Sequence, residues 1–316
     1  SDRRAPAAVK AYAKNNPHSM GAWASDSKTK VSTMSGGDFR SNEKSVTLTG
    51  EQAADPLSIV HEAQDGTVTV LAEGLSYPEG TIVDATFMSC HALSEFLADA
   101  IEETAADGTL FSLHMKATMM KVSDPIIFGH AVRAYLRPVF DKYGSELADA
   151  GVNPNSGFGT MFGIVEGMEN GAEIMADIKA VLAERPPLYM VNSDRGITNL
   201  HVPSDVIIDA SMPAVIRAGG KGWGPDGNEG DTNCVIPDSS YAPVYAESID
   251  FFKANGALDP TTAGTVQNVG LMAKKAEEYG SHPTTFEIAA AGTVKVKTGA
   301  GVVLIGIQDY VKHPAG

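Results

Sequence analysis

The sequence predicts an α/β fold with a β-rich part at its N-terminal end, and three observations predict it. Strand-like runs with a hairpin signal fill the first ninety residues. The hydrophobic period then changes to that of a helix, and from there short strands and helices alternate. The boundary falls at residue 90, giving a β-rich part over 1–90 and an α/β part over 91–316. Of the 316 residues 43% are hydrophobic, enough for a sizeable core.

Taken in order, Lys44 to Thr49 alternates, and Leu57 to Glu62 runs into Asp65-Gly66 and then Thr67 to Leu71. An Asp-Gly pair between two alternating runs is a hairpin signal. Gly80 to Met88 suits a further strand. Leu93, Phe96, Leu97 and Ile101 then form one apolar helical face that stops before Asp107-Gly108. Leu110 to Met115 is strand-like, and Pro125 opens a helical pattern through Tyr135. Ala172 to Glu184 is helical and ends at Pro186-Pro187, with Leu188 to Val191 a buried strand after it. Val206 to Ile208 reads as a short strand, with Pro213 near the start of the next helix. The stretch Gly219 to Gly227 is too rich in glycine for regular structure. Helices follow at Tyr245 to Ala254 and Val269 to Tyr279, and a hairpin joins Thr285–Ile288 to Val294–Lys297.

Twenty-four Lys and Arg against 39 Asp and Glu give a net charge of −15. Nucleic acid and anionic membrane surfaces are therefore excluded as partners, since both need positive counter-charge. No run of eighteen apolar residues spans a membrane. An anionic substrate needs a local cationic cluster or a bound metal to reverse the sign of the field. Cys90 and Cys234, far apart in the chain, suit a cytoplasmic protein with reduced thiols. Ser1-Asp-Arg-Arg-Ala-Pro6 has neither an initiator Met nor the apolar centre of a signal peptide, which suggests an excised piece of a longer protein.

Chemistry concentrates at three places. Lys116 stands where the Leu110–Met115 strand ends, and a lysine at such an edge can reach a substrate. It works as a base only if burial or a second cation disfavours its ammonium, and Lys121 is five residues on. Asp205 and Asp209 flank Val206–Ile208, where a carboxylate at a strand's end suits Mg²⁺, which takes one or two carboxylates plus substrate oxygens. Asp209 equally suits the cap of the helix near Pro213. Tyr279, before Gly280-Ser-His282, is a phenol that donates a proton if a cation lies beside it. Gly157-Phe-Gly159 and Gly299-Ala-Gly301 lack the strand–loop–helix setting of a nucleotide loop.

Longer motifs go further. Lys116-Ala-Thr-Met-Met-Lys-Val-Ser-Asp-Pro-Ile-Ile-Phe-Gly129, the segment Gly196 to Pro213, and Asn268-Val-Gly-Leu-Met-Ala with Ala-Glu-Glu-Tyr-Gly-Ser-His282 closely resemble the monomeric type of NADP-dependent isocitrate dehydrogenase. Ser1 to Lys10 and Ile236-Pro-Asp-Ser-Ser-Tyr241 belong to the same pattern. The resemblance implies the large domain of the isocitrate/isopropylmalate dehydrogenase fold, with mixed sheets and flanking helices. It implies the tricarboxylic acid cycle reaction in which isocitrate and NADP⁺ give 2-oxoglutarate, CO₂ and NADPH. By the same resemblance Lys116 helps deprotonate the C2 hydroxyl, Asp209 ligates Mg²⁺ or Mn²⁺, Tyr279 protonates the carbon left by CO₂, and Arg3 grips a substrate carboxylate.

Family members are more than twice this length. Their isocitrate-binding Ser/Asn/Arg segment, a later aspartate pair and the NADP-binding region have no counterpart here, and Gly301–Ile307 runs straight into Gln308–Lys312 as though a segment had been removed. The resemblance therefore implies a chain that is inactive without the family's NADP-binding domain. A catalytically silent folded scaffold, or a weak metal- and isocitrate-binding module, is the other expectation.

Overall fold

The computed structural model describes residues 6–16, 20–116, 123–259 and 290–310, with backbone alone for residue 13 and for 308–310. Its first elements are α1 (Ala7–Asn15), β1 (Lys30–Ser32), α2 (Phe39–Asn42), β2 (Lys44–Thr47), α3 (Gly50–Ala53), β3 (Leu57–Ala63), β4 (Val68–Leu75) and β5 (Ile82–Ala85). Two of the short helices start at capping boxes, Asp38 with Ser41 and Thr49 with Gln52, which satisfy the amides a first turn leaves open. The Asp65-Gly66 hairpin forms as expected, Gly66 taking φ 84°.

After these come α4 (Cys90–Asp107), β6 (Leu110–Leu113), α5 (Ser123–Tyr135), α6 (Arg137–Asp149), α7 (Gly157–Glu166), α8 (Gly171–Glu184), β7 (Met190–Asn192) and β8 (Ile197–Thr198). A 3₁₀ turn at Pro203–Val206 precedes α9 (Ile208–Arg217), followed by β9 (Lys221–Trp223), β10 (Glu229–Val235), α10 (Ala242–Asn255), β11 (Gly292–Lys297) and β12 (Val303–Tyr310).

The chain divides into two compact units: Ser1–Thr33 with Ser94–Pro283, and Met34–Leu93 with Thr284–Gly316. This differs from a cut at residue 90. Lys30–Ser32 pairs with β10, whereas β11 pairs with β3, so strand pairing draws the two ends of the chain into different units.

In the first unit β1, β10 and β6 run parallel, with β9 antiparallel on β10. The central strand β10 carries Thr232, Asn233, Cys234 and Val235 fully buried. The Asn233 side chain is satisfied sideways: it donates to Thr104 at 2.9 Å and accepts from Ser32 at 2.8 Å. Below it Trp23, Ile208, Met212, Val215, Ile236, Ile249 and Phe252 make one apolar cluster, with Trp23 and Phe252 stacked at 5.7 Å. Each such side chain contributes about 1.5–3 kcal/mol by leaving water, and together they fix α9 and α10.

The second unit is built on the antiparallel order β12-β11-β3-β4, with β2 and β5 as a separate pair. Leu48, Leu57, Val296 and Ile305 form its core.

Three sequence expectations change. Gly219 to Gly227 is not irregular, because Lys221–Trp223 pairs with Glu229–Asp231 across a turn. Val206–Ile208 is not a strand: the 3₁₀ turn runs into α9, and Pro213 lies inside that helix, not near its start. Val294–Lys297 belongs to β11, whose described partners are β12 and β3. The expected Val269–Tyr279 helix and the Thr285–Ile288 strand lie outside the described residues.

Candidate active site

Parallel strands bring their carboxyl ends to one edge, and the crevice there is where α/β sheets bind ligands. At that edge β6 ends at Leu113, in register with Val235 of β10, and the chains continue as His114-Met115-Lys116 and Ile236-Pro237-Asp238. A narrow cleft opens between them, bounded by Lys116, Asp124, Asp238 and Tyr241 over His114 and Ile127.

The edge is extended by one bridge. The Met115 amide donates to the carbonyl of Val206 at 2.8 Å, and the Ile208 amide to the carbonyl of Met115 at 2.6 Å, so the entry to α9 lies parallel beside the strand end. That bridge places Asp209, in the first turn of α9, against Lys116. The Lys116 ammonium donates to both carboxylate oxygens, Oδ1 at 2.8 Å and Oδ2 at 2.7 Å. Lys116 is the more covered member at 19% exposed, against 52% for Asp209. Its ammonium also lies 5.7 Å from the centre of the Tyr241 ring, within cation–π range.

Asp209 does not cap α9, because Ile207 holds the capping position and no side chain closes it. Pro213 has no N–H for the carbonyl of Asp209, so the first turn is held by one helical hydrogen bond fewer. What fixes that turn is the bridge at Met115 and burial of Ile208 and Met212.

Charge in the neighbourhood follows burial. The Tyr245 phenol is pushed above its ordinary value, first by burial and then by the negative charge of Asp209. Burial raises the carboxyl of Asp205 as well. Lys116 and Asp209, two of the residues singled out in sequence, are thus brought together; Tyr279, Arg3 and Lys121 lie outside the described residues.

Asp209 offers one hard-oxygen ligand of the kind Mg²⁺ takes from protein, and no group of three His, Cys, Asp or Glu that could hold a metal occurs among the described residues. These residues fit a single ligand of a divalent ion, with substrate or other protein oxygens completing the shell. Lys116 now engages both oxygens of that ligand, so an ammonium and a metal would compete for it.

Sequence reading passed over what lies directly beneath. Ser112 and His114 alternate on one face of an otherwise apolar strand, a signal of something polar inside. His114 is buried and bonded on both ring nitrogens, to Ser112 at 2.8 Å and to Ser211 at 2.7 Å. Burial pushes its imidazole down to about 3, which keeps it neutral at ordinary pH.

A family model described as monomeric isocitrate dehydrogenase matches residues 1–312. An NADP isocitrate dehydrogenase of Corynebacterium glutamicum is 56% identical over 305 residues, covering 96% of this chain and 41% of the relative. Azotobacter vinelandii has one that is 51% identical over 307 residues, with the same two coverages. The chain thus spans 41% of the length of these relatives. A crystal structure of isocitrate dehydrogenase from Ostreococcus tauri with isocitrate and magnesium(II) aligns over 86% of this chain and 43% of that one, at 11% identity and a TM-score of 0.31.

Proposed function

The chain belongs to the monomeric isocitrate dehydrogenase family, and from that premise we propose that it supplies the lysine and one metal-ligating carboxylate for the NADP-dependent oxidative decarboxylation of isocitrate to 2-oxoglutarate. The Lys116–Asp209 pair at the carboxyl edge of a parallel sheet carries this reading. Asp209 would hold Mg²⁺ or Mn²⁺, an ion that supplies Lewis-acid polarisation of the substrate's hydroxyl and carboxylate oxygens when bound. Lys116 Nζ would take up the proton of the C2 hydroxyl only as a neutral amine, with Asp209 turned from it to the ion, and the Tyr241 ring lies 5.7 Å from that nitrogen. Tyr279 returns a proton to the carbon from which CO₂ departs, and Arg3 grips a substrate carboxylate. The hydride acceptor in this reading is NADP, whose site none of the residues assigned here forms.

This assignment also answers the charge problem. An acidic chain repels a tricarboxylate, and a divalent ion with Lys116 and Arg3 reverses the sign locally.

A second reading, a silent scaffold, draws on the completeness of the ion pair: Lys116 and Asp209 satisfy each other without a ligand, as a purely structural pair would. Calorimetric titration of Mg²⁺-isocitrate into the chain separates the two. Saturable heat that Lys116→Met or Asp209→Asn weakens supports the site, and a flat trace supports the scaffold. Following NADPH absorbance tests the third point, since turnover by the pure chain contradicts the placement of the NADP site elsewhere.

A further inference from the structure

Beneath the Lys116–Asp209 pair runs a row of buried polar groups whose hydrogen bonds turn on the His114 tautomer. Asn199 donates from Nδ2 to Ser112 Oγ at 3.2 Å, and to the Leu113 carbonyl at 3.2 Å. Ser112 Oγ lies 2.8 Å from His114 Nε2, and His114 Nδ1 lies 2.7 Å from Ser211 Oγ. Ser112 is fully buried, so its own proton needs an acceptor. Its oxygen already receives the Asn199 amide. If His114 also donated to it from Nε2, the Ser112 proton would have no partner in a dry interior. Nε2 is therefore the acceptor, and Nδ1 carries the hydrogen and donates it to Ser211.

Ser211 belongs to α9, two residues beyond Asp209, and His114 precedes Lys116 by two residues. The Met115 bridge sits between them. Strand end and helix start are thus clamped at three successive points: His114 to Ser211, Met115 to Val206 and Ile208, and Lys116 to Asp209.

We propose that the row Asn199–Ser112–His114–Ser211 is a positioning device that holds the first turn of α9 so that Asp209 faces Lys116, with His114 as a positioning residue that touches neither substrate nor metal. The role rests on the site assignment above only for its purpose in catalysis. The clamp is a property of the folded chain, and its test needs no metal, isocitrate or turnover.

Two readouts on the full chain decide it. Ring ¹⁵N NMR shows the His114 tautomer: a protonated Nδ1 and a bare Nε2 are expected, and the opposite tautomer overturns the proposal. Amine labelling with mass mapping then compares Lys116 with Lys142, whose partners Glu173 and Asp177 lie elsewhere in the same unit. In Ser211→Ala, a small change in a half-buried residue, the labelling rate of Lys116 should rise by up to about fivefold, the upper end of what an exposed ion pair holds. Asp209→Asn sets the ceiling of that rise. His114→Asn, which keeps a donor near the Nδ1 position, should stay near the wild-type rate, and His114→Gln should not. A loss of general stability would speed Lys142 equally, so a parallel rise at both lysines, or no rise at Lys116, contradicts a positioning role. Absence of isocitrate binding would count against the site assignment and leave these two results standing.

Discussion

Two lysine–carboxylate pairs of nearly equal length sit in the two units of this chain. Lys295 and Glu62 meet at 2.6 Å with side chains 24% and 36% exposed; Lys116 and Asp209 meet at 2.7 Å with 19% and 52%. The first pair lies across neighbouring strands of an antiparallel ladder, β11 on β3. The second lies where a parallel strand ends against the first turn of a helix, with a narrow cleft beside it and a row of buried polar groups below. Each joins one ammonium to one carboxylate at nearly equal distance. An ion pair becomes a candidate site through its place in the topology, here at the carboxyl end of a parallel strand, where α/β sheets bind ligands.

The largest effect should come from removing the support behind the second pair. Leu113 is fully buried at the end of β6, and Leu113→Ala should cost about 2–5 kcal/mol in denaturant unfolding. A cost near zero would show that the strand end is not packed as described.

Next comes the contrast between the carboxylates. Asp209→Asn should weaken Mg²⁺-isocitrate binding by at least about tenfold, as losing one of few protein ligands does, whereas Glu62→Gln should leave it unchanged. Equal effects of the two substitutions would erase the distinction drawn here.

Acid should separate the regions too. Burial holds His114 at about 3 in the folded chain against an ordinary value of 6.5. As pH falls from 6.5 toward 3 the unfolded chain therefore takes up that proton first, and stability drops across this window, with no loss from this group above it. Burial lowers His201 as well and acts with the same sign. Urea midpoints of His114→Gln should vary less between pH 6.5 and 4 than those of the wild type, and an unchanged slope would contradict a buried neutral ring.

The smallest effect is expected at Lys295. Replacing it with Met should shift the melting temperature slightly and leave labelling of Lys116 untouched, because a single solvent-accessible pair contributes about 1 kcal/mol or less.

How much of this was legible in the sequence follows the same physics. The β3–β4 hairpin and helices α4, α5, α8 and α10 stood out because apolar spacing and turn residues signal them directly. The central strand β10 did not, because Asp231, Thr232 and Asn233 are polar, and the Asp231 and Asn233 side chains find partners remote in sequence, Ser27 and Thr104. The glycines before it hid β9 for the related reason that Gly222 leaves space for the Tyr189 ring, where a Cβ would lie 2.4 Å from it. Lys116 and Asp209 were named from strand-end position and family motifs; that they bond each other was not, since 93 residues separate them. The Ser112–His114 alternation was visible, and its meaning depended on Ser211 and Asn199, which only the fold brings near.

Lys116 and Asp209 are the groups on which the account stands, and a titration of Mn²⁺ with isocitrate, followed by the loss of the free-ion paramagnetic signal, tests them most directly. The wild-type chain and Glu62→Gln should bind alike, and Asp209→Asn should bind at least about tenfold more weakly. Indistinguishable curves for wild type and Asp209→Asn would contradict the assignment of this strand end as the metal-binding edge of the site.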